Sequence, residues 1–263
     1  MTSSAYSHIL AGAEAIAARA AERLVAMQGR PLDVARKDLQ DVVTAADLAS
    51  EAIVIEGLRA LTPEAAILSE EAGLSEGAGS ARWIVDPLDG TVNYAAGLPW
   101  FSVTMAYQEE GRTRAGIVHA PKAGILARHA EGMAPTINGA PVWPSATRSL
   151  SDAVVSVVLT SHFSAAEVAR SAEAIRRIGT VARGVRIIVS GGLEMCLVAN
   201  GQLDAFVSLK ADIVSHAAAQ ALLRAAGGRV TRLDGSEAND DDLDRIASNG
   251  VLHDELLACL AGI

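Results

Sequence analysis

A chain of 263 residues, half of them hydrophobic, is long enough for one large domain or two fused lobes around a sizeable core. A formal net charge of −9 and only 3% aromatic residues argue against a general nucleic-acid or anionic-membrane surface, and no run approaches the roughly 20 apolar residues of a membrane span. Two cysteines, Cys196 and Cys259, lie far apart without zinc-like spacing, and the first residues lack a signal-peptide pattern, so a reduced, cytoplasmic protein is expected.

Ser3 or Ser4 is placed to cap a first helix that runs to about Gln28, where Gly29 and Pro31 stop it. A second helix starts near Thr44 and is expected to carry Leu48, Ala52, Ile55 and Leu58 on its apolar face. Residues 65–68 read as a short strand that delivers Glu70, and residues 83–85 as a buried one. Residues 101–108 and 114–119 read as an antiparallel pair joined at Glu110-Gly111, residues 125–129 as another strand, and 136–139 as a turn. The chain turns polar near residue 145, dividing it into an N-terminal lobe, 1–145, and a C-terminal lobe, 146–263. In the second lobe, strands at 153–159, 184–189, 203–209 and 229–232 alternate with helices at 165–178, 192–200, 215–226 and 253–260. The acids between Asn239 and Asp244 read as a solvated loop. The pattern gives a layered α/β or α+β protein.

The most informative run is Trp83-Ile-Val-Asp-Pro-Leu-Asp-Gly-Thr-Val-Asn-Tyr94. Pro87 has no N–H to donate, so the strand is expected to break and turn where Asp86 and Asp89 sit. Gly90 lets the backbone approach a ligand, and N–H groups at a helix start after it would suit an anion. Carboxylates for a hard cation beside N–H groups for a phosphate are the ingredients of metal-assisted phosphoryl transfer. Asp47 admits a second role, since Thr44-x-x-Asp47 has capping-box spacing.

That run resembles the inositol monophosphatase family hallmark Asp-Pro-Leu/Ile-Asp-Gly-Thr-x-Asn-Phe/Tyr. The likeness continues through Gly97-Leu-Pro-Trp-Phe-Ser-Val-Thr-Met-Ala-Tyr107, and upstream through Lys37-Asp-Leu-Gln-Asp-Val-Val-Thr-Ala-Ala-Asp47 and Ser69-Glu70-Glu71. Residues 190–206, Ala226-Gly-Gly228 and Ser248-Asn249-Gly250 are similar to its later segments. The resemblance implies an α-β-α-β-α layered α+β sandwich, usually dimeric, acting on a small phosphorylated metabolite with Mg²⁺ or Mn²⁺. It implies Glu70, Asp86, Asp89 and the main-chain carbonyl of Leu88 as metal ligands. Glu70, Thr91 and Asp47 would activate the attacking water, and the N–H groups of Gly90 and Thr91 would hold the phosphate. Lys37 would balance charge near the metal.

Two departures stand out. Counting back from Ala226-Gly-Gly228, the family's further metal-binding aspartate falls on Ser215, which is still able to cap a helix but is a poor Mg²⁺ ligand. Asp212 is the nearby acid able to reach the site, as a substrate contact or a replacement ligand, and His216 is a softer alternative. The family's inositol-reading glutamate falls on Ser208, while Lys210, Arg183 and Arg186 read either as solvated surface residues or as cations that would favour a second acidic group on the substrate. The leading function is a metal-dependent phosphomonoesterase. The alternative is a weakly active or non-catalytic relative that binds a phosphorylated ligand or a protein partner.

Overall fold

The computed structural model describes residues 3–29, 34–36, 42–160, 162–210, 212–240, 242 and 244–263. The helices are α1 (Ser3–Met27), α2 (Ala45–Leu61), α3 (Thr91–Ala95), α4 (Ala165–Val181), α5 (Gly191–Ala199), α6 (Ile213–Ala225) and α7 (His253–Leu260). The strands of the first half are β1 (Val34–Arg36), β2 (Val42–Thr44), β3 (Ala66–Ser69), β4 (Gly73–Ser75), β5 (Arg82–Asp89), β6 (Ser102–Glu109), β7 (Arg112–Ala120), β8 (Ile125–Ala130), β9 (Thr136–Ile137) and β10 (Ala140–Pro141). Those of the second half are β11 (Val154–Val157), β12 (Gly184–Arg186), β13 (Ala205–Ser208), β14 (Arg229–Thr231) and β15 (Arg245–Ser248).

Strands β3 to β10 form one sheet in the order β10-β9-β8-β7-β6-β5-β3-β4, and a second sheet runs β12-β11-β13-β15-β14. Helices α1 and α2 pack on the outer face of the first sheet, α5 and α6 lie between the sheets, and α4 and α7 cover the second. This is an α-β-α-β-α layered α+β fold. Helix α6 of the middle layer approaches the first sheet closely through its small residues Ala217, Ala218 and Ala219. A Cβ on Gly116 of β7 would stand 3.1 Å from the Cα of Ala218 in α6, so helix and sheet touch backbone to backbone. The change of sheet falls between Pro141 and Val154, yet one apolar core joins Ile84, Ala106 and Val118 to Phe206, Leu222 and Val230 across it. Among the described residues no helix is long and apolar enough to cross a membrane.

Several local expectations are corrected. Strand β5 does not end at Pro87. It continues to Asp89, with the register against β6 slipping by one residue between Asp86 and Asp89. The proline is accommodated by a bulge, which breaks the ladder without ending the strand. Helix α2 buries Asp47, Ser50, Glu51, Val54 and Leu58, while Leu48 is 56% exposed. Its inner face is polar because it abuts the site. Helix α6 starts at Ile213, with Asp212, not Ser215, as its cap. Strand β15 has no apolar alternation, because it opens on Arg245, and the sequence pattern missed it. The acidic segment before it is not merely solvated. Arg245, fully buried, donates to the carbonyls of Asn239, Asp240 and Asp242, and the Asp240 carboxylate accepts from Gln108, Thr113 and Gln220. Cys196 and Cys259 are both free thiols.

Candidate active site

The parallel pairing of β3 with β5 aligns Ser69 with Val85, so Glu70 leaves its strand beside Asp86. The bulge after Asp86 then sets Asp89 against Ser102. Gly90 follows in the left-handed region, φ 91°, and opens α3. A Cβ there would meet the Trp100 carbonyl oxygen at 2.7 Å, so only glycine lets the chain turn this tightly.

These residues form one wall of a solvent-open cavity between the two halves of the chain. Glu70, Asp86, Leu88, Asp89, Gly90 and Thr91 line it from the first half, and Ser208, Lys210, Asp212, Ser215 and His216 from the second.

Helix α2 holds this wall from behind. Thr91 Oγ1 lies 2.9 Å from Asp47 Oδ1 and 3.0 Å from the Leu88 carbonyl oxygen, so its single proton serves one of two acceptors. The Ser50 hydroxyl donates to the Pro87 carbonyl at 2.7 Å. Glu51 Oε1 accepts from the Ser69 hydroxyl and from the Ala72 N–H, gripping the turn that carries Glu70 on both sides. The sequence reading missed Ser50 and Glu51. Their signal was present, since Asp47, Ser50, Glu51, Val54 and Leu58 share one helical stripe, but a stripe that is half polar reads as a solvated face.

Asp86 and Asp89 are both buried. The Asp86 carboxyl is pushed well above its usual range, first by burial, then by the charges of Glu70 and Asp89 and by a hydrogen bond shared with Glu70. Ser215 opposes that rise, donating its hydroxyl to Asp86 Oδ2 at 2.8 Å, and Leu88 N–H donates to Oδ1 at 3.0 Å. Asp89 is also raised by burial, against four donors. The Ser190 and Ser102 hydroxyls and the Gly192 N–H reach its Oδ2 at 2.7, 2.8 and 3.0 Å, and the Gly191 N–H reaches Oδ1 at 3.1 Å.

Hard oxygen donors under mutual repulsion fit a cation such as Mg²⁺. Among the described residues, however, no group of three or more His, Cys, Asp or Glu side chains is drawn together as a cage for an ion. Asp89 is turned into protein donors, which leaves Glu70 and Asp86 as the facing pair.

The second-half residues behave differently from one another. Asp212 is exposed at the rim and accepts from Val214 N–H at 3.0 Å as the cap of α6. The Ser208 hydroxyl donates to the Lys210 carbonyl. Of the three basic residues expected nearby, Lys210 lines the cavity, where it pairs with Glu167 at 3.2 Å and sits over the Phe163 ring. Arg183 pairs instead with Asp152, and Arg186 donates to the Val185 carbonyl. Lys37 lies outside the described residues, as does the side chain of Thr44.

The inositol monophosphatase family model matches residues 5–262. A protein of Thermotoga maritima described as a fructose-1,6-bisphosphatase/inositol-1-monophosphatase is 34% identical over 230 residues, 87% of this chain and 86% of its own. Nus factor SuhB of Escherichia coli K12 is 31% identical over 224 residues, 83% of each chain. Among solved structures, the extragenic suppressor protein SuhB of Bartonella henselae superposes with a TM-score of 0.92 at 28% identity, covering 97% of this chain and 99% of that one. The Thermotoga maritima IMPase superposes with a TM-score of 0.87 at 31% identity, covering 94% of each.

Proposed function

This chain belongs to the inositol monophosphatase family, and from that premise we propose that it is a metal-dependent phosphomonoesterase acting on a small phosphorylated polyol, sugar or nucleotide. The observation that carries this reading is the shared cavity wall, on which the Glu70–Asp86 pair stands beside a Thr91 hydroxyl tied to Asp47. Glu70 and Asp86, with the Leu88 carbonyl and the one Asp89 oxygen, Oδ1, that accepts only a single hydrogen bond, would hold Mg²⁺ or Mn²⁺, which when bound would polarise the phosphate and offset the acids.

The chain's own residues supply the rest. Asp47 accepts the Thr91 proton, which leaves the Thr91 oxygen an acceptor that orients a water. Glu70 is the carboxylate on the same wall to take that water's proton as it attacks phosphorus, while the ester P–O bond opposite breaks and the leaving alcohol oxygen is protonated from solvent water. The first-turn N–H groups at Gly90 and Thr91, which have no intrahelical partner, receive phosphate oxygens. Lys210 at the rim favours a substrate with further acidic character, and Ser208 replaces the carboxylate that would read inositol hydroxyls. A cytoplasmic homodimer without nucleic-acid or membrane binding completes the proposal.

Phosphate release from a panel of inositol, sugar and nucleotide phosphates tests it. Activity is expected with Mg²⁺, to vanish on chelation and to return with Mg²⁺ or Mn²⁺. Turnover that survives thorough chelation removes the mechanism. A folded protein that binds these phosphates without hydrolysing any favours the non-catalytic reading instead.

A further inference from the structure

Resting on the phosphatase reading above, we infer that the acid cluster is built for a single divalent cation, with Ser215 acting as a positioning residue for Asp86 where a further acid would otherwise stand.

The argument begins with Asp89. Its Oδ2 accepts three hydrogen bonds and its Oδ1 one, two of the four coming from N–H groups in the first turn of α5. Its charge is thus met by protein donors and by the positive end of that helix. Glu70 and Asp86 remain, sharing a hydrogen bond and repelling each other. Two carboxylate charges balance one divalent ion.

Residue 215 decides whether that balance is exceeded. Its hydroxyl stands 2.8 Å from Asp86 Oδ2, so an acid at this position would bring a further carboxylate within reach of a pair already under strain. Serine places a donor there. With Leu88 N–H on Oδ1, each Asp86 oxygen then has a neutral protein donor, besides the hydrogen bond shared with Glu70. The affinity of a hard-cation site falls with its ligand charge, so losing the acid removes the means of holding a second ion.

Neither neighbour restores it. Asp212 is exposed and caps α6 through Val214 N–H. His216 packs edge-on to the Phe206 ring at 5.4 Å and against Gly191, where a Cβ would come within 2.3 Å of its Nε2, and its imidazole is a softer ligand than a hard cation selects.

The test is Mn²⁺ stoichiometry on the full chain, by titration calorimetry and by the electron-spin signal of free Mn²⁺. The wild type, Ser215→Ala and Asp212→Ala are expected to bind one ion per chain, Ser215→Ala several-fold more weakly, and Ser215→Asp two. Two ions of comparable affinity in the wild type, or loss of an ion in Asp212→Ala, overturns the inference while chelator-sensitive turnover leaves the phosphatase reading standing. A folded Ser215→Asp that still binds one ion overturns the role of Ser215. Should that variant not fold, the wild type and Asp212→Ala decide. Absence of Mn²⁺ binding alongside chelator-resistant turnover overturns both readings.

Discussion

The Thr91 hydroxyl stands 2.9 Å from a carboxylate oxygen of Asp47, a residue 44 positions earlier in the chain. Asp47 is buried in the first turn of α2, and Thr91 opens α3. An acid in a helix's first turn favours the positive end of its dipole, so the same carboxylate is held in place and able to polarise the hydroxyl. Thr91→Ala is expected to lower turnover by about 10² to 10³, in the range typical of a lost acid–base partner. Asp47→Asn keeps the shape but offers an amide, and should fall nearly as far. Thr91→Ser should retain most activity. A Thr91→Ala enzyme with normal turnover would reduce the pair to a structural tie.

Asp86→Asn removes one charge from the facing pair without changing size. Turnover is expected to drop at least about a hundredfold, roughly 2.7 kcal/mol of transition-state stabilisation. Burial and the Glu70 charge hold the Asp86 carboxyl well above its usual range, so its ionised form opposes folding. The metal-free variant should therefore melt no lower than the wild type at neutral pH. A large loss of Tm would show that Asp86 serves mainly the fold.

Glu51 touches no part of the cavity wall that would meet substrate, yet it grips Ser69 and Ala72 around Glu70. Glu51→Ala strands two partly buried donors, at a stability loss of about 1–3 kcal/mol. It should lower kcat more than tenfold with little change in KM, whereas Glu51→Gln, which keeps an acceptor oxygen, should recover much of the loss. Equal kinetics for both variants would argue against positioning.

Glu194 lies fully buried behind the segment that holds Asp89, accepting from the Ser156 hydroxyl and from Ser190 N–H. Burial pushes its carboxyl up from an ordinary 4.5 to about 7, against those two hydrogen bonds. With the folded value above the unfolded one, its contribution to stability is fully present below about pH 4.5 and is lost as pH rises through about 7. The effect is on the order of 3 kcal/mol at most. Thermal melts of the metal-free protein between about pH 5 and 8 should decline with pH, and Glu194→Gln should flatten that decline. An unchanged slope would assign the pH dependence elsewhere.

Strands β6 and β7 are largely buried, so they supply no exposed surface for a dimer. Several of the exposed apolar residues lie near the start of β6. Val92, Leu98, Trp100 and Ile187 are 38–48% exposed, and the Asn93 amide ties the Trp100, Ile188 and Val189 carbonyls into one patch. A homodimer through this patch would register in light scattering as twice the 27.1 kDa chain mass, and Trp100→Asp should return it to one chain. A monomeric wild type at micromolar concentration would dispose of it.

The sequence by itself determined the local chemistry of this protein. Motif, turn glycine and helix periodicity are properties of neighbouring residues, so the Asp86–Thr91 run, the limits of α1 and most strands could be read directly. Tertiary structure alone decided what meets what. The polar stripe of α2 looks solvated until β3 and β5 are laid against it, and β15 looks like loop until Arg245 finds buried carbonyls. Ser215 reads as a helix cap in the sequence, but Asp212 takes that place and one turn of helix carries the serine hydroxyl to Asp86. A carboxylate's partners lie more than a hundred residues away, as Ser190 does from Asp89 and Ser215 from Asp86, and no local pattern encodes a pairing that exists only once two sheets enclose a pair of helices.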